Sequence, residues 1–396
     1  MIKIAAVINT SEFTGGAYHA SLTNLEFLTR DNNLKIQLYT FTKSNLKFNT
    51  ENIYYIKFGF KEKIIHKFRK NLRMQSFFER FKICKPLDYQ FEKDDIDLVY
   101  FLGPSANCLF LERLNFIMTI WDCCHRDHPE FPEVRNSLEF DARENFYKIA
   151  LPKATAVIAE SPFGKDTLVR RYALDADKVH YIWLSPSSKI LKEDECTTFC
   201  PFDHADIPKS SSYIFYPAQF WPHKNHKLII DAISHLSVEH NISLYAVFSG
   251  KDCGNLEKII SYAEKKNVSK LIKYPGYIPD EFMGKYYKSA LSLVMPSIFG
   301  PSNMPPVEAL MFGTPVLVPD LPGIVDQVGD ASLFFDPFSP TILANHIISL
   351  LRNPKIREEL IDKGRKRFAF LTNQKNCDVL TNIFNNFEKK KSLWDL

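Results

Sequence analysis

Short, almost uninterrupted apolar runs alternate along this chain with longer stretches in which apolar residues recur every three or four positions. In the first half the runs are IKIAAVI, KIQLYTF, IYYIKF, DLVYFL, FIMTIW, AVIAE and VHYIWL. In the second they are YIFYPA, SLYAVFSG, LIKYPGYI, LSLVMPS, PVLVPD and SLFFD. Runs lacking strict alternation predict strands covered on both faces, the habit of parallel sheets flanked by helices. Helical periodicity falls at 18–29, 162–171, 226–236, 255–265, 280–289 and 340–351. The order predicts an α/β fold of two doubly wound domains with a cleft between them. The halves meet at residues 185–212, rich in Ser, Pro and charge, which read as a linker. The expected boundaries are 1–190, a linker at 191–211, a second domain at 212–375, and a terminal helix at 376–396 packing back on the first domain.

Length agrees with this division, since 396 residues at about 150 per domain give two or three domains. Fifty Lys and Arg against 46 Asp and Glu leave a net charge of +4, too balanced to argue for nucleic acid. The eight cysteines show no C-x-x-C spacing, and no His cluster follows Cys196 and Cys200, so no structural zinc is expected. The opening run is broken by Asn9, Thr10 and Glu12 and reads as a strand, not a signal peptide. No apolar stretch reaches the roughly 18 residues of a membrane span. The expectation is a soluble cytoplasmic protein with free thiols.

Four segments at strand ends carry candidate chemistry. In SIFGPSNMPPVEALMFGTPVLVPD, a helix is expected to begin near Pro305 or Pro306, with Glu308 in its first turn. A helix N-terminus favours an anion such as phosphate. Glu308 then either complements the helix dipole, worth about 0.3–1 kcal/mol, or accepts the two hydroxyls of a ribose. In YIFYPAQFWPHKNH, Lys224 is a mobile point charge suited to a diphosphate, while His223 and His226 lack the carboxylate or Cys that would complete a metal set. Gly15 and Gly16 form a first strand–helix turn in which backbone can approach a phosphate, without the G-x-G-x-x-G of a nicotinamide site. In FIMTIWDCCHRDHPEFPEV, a buried strand delivers Asp122, His125, Arg126 and His128. Arg126 and Arg143 are candidates for an anionic acceptor. Residues 57–85 hold ten Lys or Arg and two Glu among apolar residues, which is either a solvated face or a basic amphipathic surface for an anionic membrane.

The stretch 296–337, PSIFGPSNMPPVEALMFGTPVLVPDLPGIVDQVGDASLFFDP, resembles the donor-site signature of retaining GT-B glycosyltransferases of family 4, the glycosyl transferases group 1. The resemblance covers about 40 residues and implies a GT-B architecture of two Rossmann-like domains. It places Glu308 on the family's second glutamate, the ribose ligand. It also implies that Gly15, Gly16, Gln219, Lys224, Gly300, Ser302, Asn303, Met304 and Glu308 surround the donor, and that His125 lies near the reacting sugar, with His128 behind it. Catalysis would fall to His125, Lys224 and Glu308. Two positions depart from the pattern: Gly300 stands where the family's first glutamate touches the donor sugar, and Gln219 stands where an Arg is usual. Ser302 and Asn303 are the polar substitutes on offer, so the donor-sugar contacts are expected to be rearranged.

The implied activity is retaining transfer of a hexose or deoxyhexose from a UDP- or GDP-linked sugar to a growing glycan or lipid-linked acceptor, in surface polysaccharide or O-antigen synthesis. It needs no metal or other cofactor, and would take place at the cytoplasmic face of a membrane contacted through residues 57–85. The alternatives are a non-catalytic GT-B sugar-nucleotide-binding or scaffold subunit and a GT-B epimerase. The epimerase would need paired carboxylates near the sugar.

Overall fold

The structure is a computed structural model that describes residues 2–10, 15–30, 34–41, 53–56, 87–186, 199–373 and 375–394. The chain divides into two units, Met1–Ile182 with Gln374–Leu396, and Trp183–Asn373.

The first unit contains β1 (Lys3–Ile8), α1 (Gly16–Arg30), β2 (Lys35–Thr40), β3 (Ile53–Tyr55), β4 (Leu98–Phe101), β5 (Asn115–Thr119), α2 (Cys124–Asp127), α3 (Glu139–Ala150), β6 (Ala156–Ala159), α4 (Pro162–Tyr172) and β7 (Val179–Tyr181). The strands pair in parallel in the order β3-β2-β1-β4-β5-β6-β7. Alternate residues of β1 enter different cores: Ala5 and Val7 pack with Phe101, Met118 and Tyr147, and Ile4, Ala6 and Ile8 with Tyr100, Leu22 and Leu25. Both faces are apolar, which is why the strand reads as a continuous run.

The second unit opens with α5 (Pro201–His204) and continues β8 (Tyr213–Pro217), α6 (His226–His240), β9 (Tyr245–Ser249), α7 (Leu256–Lys265), β10 (Ile272–Lys273), α8 (Asp280–Ser289), β11 (Ser292–Val294), α9 (Met304–Phe312), β12 (Val316–Pro319), α10 (Ile324–Val328), β13 (Ser332–Phe335), α11 (Pro340–Arg352) and α12 (Pro354–Leu371). Its parallel sheet has the order β10-β9-β8-β11-β12-β13. The chain then closes with α13 (Lys375–Lys391). Leu380, Ile383, Phe384 and Phe387 of α13 join the core formed by Ile2, Ile4 and α1, and Lys391 pairs with Asp97 at 3.1 Å. Each such buried side chain contributes about 1.5–3 kcal/mol.

Two expectations change. The segment expected as linker is part of the second unit from residue 199 onward: Phe199, Phe202, Ala205 and Ile207 pack on its core, and Phe199 stacks on Phe282 at 4.1 Å. Their apolar surface outweighs the Ser and Pro content around them. The helices α3 and α12 were not expected. Only Leu360, Gly364 and Leu371 are buried in the 18 residues of α12, so its apolar period is faint. Its start is nevertheless written in Asn353, whose side chain accepts from the Lys355 amide, and in Pro354 at the first helical position. The basic stretch 57–85 lies outside the described residues.

Candidate functional site

In open α/β sheets, ligands bind beyond the carboxyl ends of strands where the strand order reverses. In the second unit that point lies between β8 and β11. The β8 loop passes Gln219 and Trp221, makes a single 3-10 turn at Pro222–Lys224, and enters α6 through Asn225 at φ 53°, a left-handed conformation that asparagine tolerates. A side chain at Gly250 would put its Cβ 2.4 Å from the Ala218 carbonyl oxygen, so only glycine lets the β9 loop run against this one. The β11 loop is laced to the β8 loop. Tyr216 donates its hydroxyl to the Lys224 carbonyl at 2.9 Å and lies 3.1 Å from Ser297 Oγ. The Ile298 amide donates to the His223 carbonyl at 2.9 Å, and Phe299 stacks on His223 at 4.0 Å.

The site's central contact is Lys224 Nζ donating to Asn303 Oδ1 at 3.2 Å. Asn303 Nδ2 donates in turn to the Gly300 carbonyl at 3.1 Å. Gly300 has φ 113°, and a Cβ there would lie 3.0 Å from Asn303 Nδ2. The backbone is thus shaped for glycine where the resemblance expects a carboxylate, and Asn303 fills the adjacent space.

The helix that follows corrects two expectations. It begins at Met304, with Asn303 as its N-cap, so Pro305 and Pro306 occupy its second and third positions. Two of its first three amides therefore carry no hydrogen, which weakens the helix end as an anion cradle. Glu308 is the fifth residue of the helix, not part of its first turn. It is 5% exposed, and the hydroxyl of buried Tyr287 donates to its Oε2 at 2.7 Å. Tyr287 was not singled out in the sequence, where it is one aromatic among several in α8. Gly313 ends the helix at φ 70°, with the Thr314 amide donating to the Ala309 carbonyl at 2.8 Å.

Other residues of this group sit less centrally. Gln219 Oε1 accepts from Trp221 Nε1 at 3.0 Å, within its own loop. Ser302 is half-buried and Met304 buried. His226 has no exposed surface and stacks on Phe220 at 4.5 Å, with Tyr216 and Phe248 around it. Burial, with Lys224 and His223 nearby, lowers its pKa to about 3, so the ring is neutral. Among the described residues, no group of three or more His, Cys, Asp or Glu is placed to hold a metal ion.

In the first unit, Gly15 has φ 66° and its carbonyl accepts the Tyr18 amide at 2.9 Å as α1 begins at Gly16. Residues 11–14 lie outside the described residues. Beyond β5, His125 and Arg126 gather on a carboxylate that sequence reading missed, Glu144, while Asp122 and Arg143 pair with each other. Arg126 grips Glu144 with two donors, Nε at 2.9 Å and Nη2 at 2.6 Å. Lys148 Nζ lies 3.0 Å away, and the Tyr172 hydroxyl donates to Oε2 at 3.0 Å. Burial alone would raise the carboxyl, but these donors outweigh it and lower its pKa to about 2.

His125 is fully buried, with Nε2 3.3 Å from Glu144 Oε2 and 3.1 Å from the Tyr172 hydroxyl. Burial, and then the charge of Arg143, lower its pKa. The ring expected to lie near the reacting sugar thus has no exposed surface of its own. His128 is half-buried, with Nδ1 3.5 Å from Glu130. Arg143 pairs with Asp122 at 3.2 Å and Glu139 at 3.3 Å, and Asp122 also caps the Cys124 amide at 2.9 Å. Both arginines expected to meet an anionic acceptor are thus matched to carboxylates of their own unit.

Residues 202–367 match the family model described as Glycosyl transferases group 1. The chain is 24% identical over 235 residues to the O-antigen chain mannosyltransferase B of Escherichia coli, a match spanning 59% of this chain and 60% of that protein. In three dimensions it is similar to the sucrose-phosphate synthase of Thermosynechococcus elongatus, with TM-score 0.72, 17% identity, and coverage of 98% of this chain and all of that one. It is also similar to Anabaena Alr3699/HepE, solved with UDP and glucose, with TM-score 0.68, 14% identity and full coverage of both chains. No described helix is long and apolar enough to cross a membrane. The parallel sheets and these likenesses agree on the fold: the chain has the GT-B fold, and residues 202–367 of its second unit match the glycosyl transferases group 1 model.

Proposed function

We propose that this chain is a retaining glycosyltransferase that moves a hexose or deoxyhexose, mannose-like, rhamnose-like or glucose-like, from a nucleoside-diphosphate sugar to a growing glycan in surface polysaccharide or O-antigen synthesis. The observation that carries the reading is the contact between Lys224 and Asn303 at the reversal point of the second sheet, with Glu308 one helical turn further on. Lys224 supplies charge to the departing diphosphate, and Glu308, oriented by Tyr287, accepts the ribose hydroxyls. Oriented donors of this kind lower the barrier by a few kcal/mol. The acceptor attacks on the face the diphosphate leaves, and the leaving phosphate takes the acceptor's proton. No metal is assigned a role. The name of the Escherichia coli relative supports a mannosyl or related donor, and UDP with glucose in the Anabaena structure supports a nucleotide-sugar site. The basic residues of 57–85 support an acceptor held at the cytoplasmic face of an anionic membrane.

The test is a thermal-shift screen of GDP-mannose, UDP-glucose and related donors on wild type and Glu308→Ala. One donor should stabilise the wild type, and the variant should lose about 1.5–3 kcal/mol of its binding, as for hydrogen bonds to a charged group. A shift that survives Glu308→Ala unchanged rejects the ribose role. A second reading, a binding subunit without turnover, is favoured by Gly300 in place of the family's first glutamate. Binding with neither donor hydrolysis nor transfer would select it.

A further inference from the structure

Gln327, in α10, has no exposed surface, yet it is polar in a helix otherwise packed through Ile324 and Val328. Both ends of its carboxamide go to the backbone of one residue. The Asn303 amide donates to Gln327 Oε1 at 3.0 Å, and Gln327 Nε2 donates to the Asn303 carbonyl at 2.9 Å. The element behind it is braced as well: Arg367 of α12 donates to the Gln327 carbonyl at 2.9 Å and to the Asp326 carbonyl. At the head of α10, Gly323 adopts φ 86°, and a Cβ there would lie 2.7 Å from the Pro301 carbonyl oxygen. The backbone before α10 therefore rests directly on the loop 300–303. From Arg367 to α10, from Gln327 to Asn303, and from Asn303 to Lys224, one run of hydrogen bonds ends on the cation of the site.

A buried carboxamide is tolerated only when its donors and acceptor are used, and an apolar residue of the same size would fill this position at lower cost. Here every bond made by the side chain is directed at the residue that contacts Lys224. Resting on the reading of this unit as a nucleotide-sugar site, we propose that Gln327 is a positioning residue that locks the Asn303 carboxamide against Lys224. The pair thereby sets recognition of the donor's terminal phosphate. The Asn303 amide hydrogen, spent on Gln327, is withdrawn from phosphate binding, and with Pro305 and Pro306 following it the anion depends on side chains more than on helix amides.

Isothermal titration of UDP, UMP, GDP and GMP tests this on wild type, Gln327→Met and Asn303→Ala. For the base that binds the wild type, Gln327→Met should weaken the diphosphate about tenfold and leave the monophosphate within about twofold, because base and ribose contacts are untouched. A purely structural role would lower the urea midpoint while leaving the diphosphate-to-monophosphate ratio unchanged, and that result overturns the proposal. Should Gln327→Met fail to fold, half-buried Asn303→Ala reads the same ratio: selective loss of the diphosphate supports the proposal, and an unchanged ratio defeats it. A wild type that binds neither uridine nor guanosine nucleotides rejects the donor-site reading itself, and this inference with it.

Discussion

The two units repeat one plan, a parallel sheet whose order reverses between its first and fourth strands, and the contacts they give their cations differ. In the first, Arg126 and Arg143 are matched to Glu144, Asp122 and Glu139. In the second, Lys224 donates to the carboxamide of Asn303. A carboxylate cancels the field that an arriving anion would feel, whereas a carboxamide orients a cation without neutralising it. The first cluster holds its arginines by opposite charge, and in the second Asn303 orients the lysine.

Removing Lys224 should break the contrast most severely. Lys224→Ala should lower turnover with the preferred donor by about 10²–10³, or about 2.7–4 kcal/mol, the usual loss when one stabilising donor is deleted. Steady-state kinetics check this, and unaltered turnover would remove Lys224 from the chemistry. Glu144→Ala should act on stability instead. It strands Arg126 and Lys148 and should cost about 2–3 kcal/mol in urea denaturation, less than a fully buried pair because Arg126 keeps partial contact with water. Nucleotide affinity should stay unchanged. Gly300→Glu would make the second cluster resemble the first. Its side chain must enter a backbone at φ 113° beside Asn303, and the new carboxylate should weaken nucleoside diphosphate binding about tenfold by titration calorimetry.

The effect that is smallest near neutral pH comes from His226. Its folded value of about 3 lies below the usual 6.5, so between these the unfolded chain binds a proton that the folded chain refuses. Stability should therefore fall on acidification through that window, by up to about 1.4 kcal/mol per pH unit. His226→Phe, suited to the surrounding rings, should flatten the dependence between pH 6.5 and 4.5. Glu144, lowered from 4.5 to about 2, contributes a similar loss only below 4.5. Denaturation midpoints measured across this range separate the two.

Much of the architecture was legible because its determinants are local. Each apolar run named from the sequence overlaps a strand, since burial on both faces leaves an uninterrupted signature. Helix α12 escaped notice because three buried residues in eighteen make a faint period. Glu308 was found, but its turn was misplaced: Pro305 and Pro306 suggested a helix start there, and the backbone begins one residue earlier, at Met304. Tyr287 and Gln327 were illegible because their importance lies in partners 21 and 24 residues away. The enclosure of His125 depends on Glu144 and Tyr172, 19 and 47 residues distant, which no local pattern reports.

The terminal helix α13 completes the core that Ile2 and Ile4 begin, although the whole second unit intervenes in the chain. During synthesis, then, the later-starting unit is finished while the earlier one still lacks Leu380, Ile383, Phe384 and Phe387. A nascent chain halted near residue 374 would carry one mature lobe and one with an open greasy seam, the kind of species that chaperones retain.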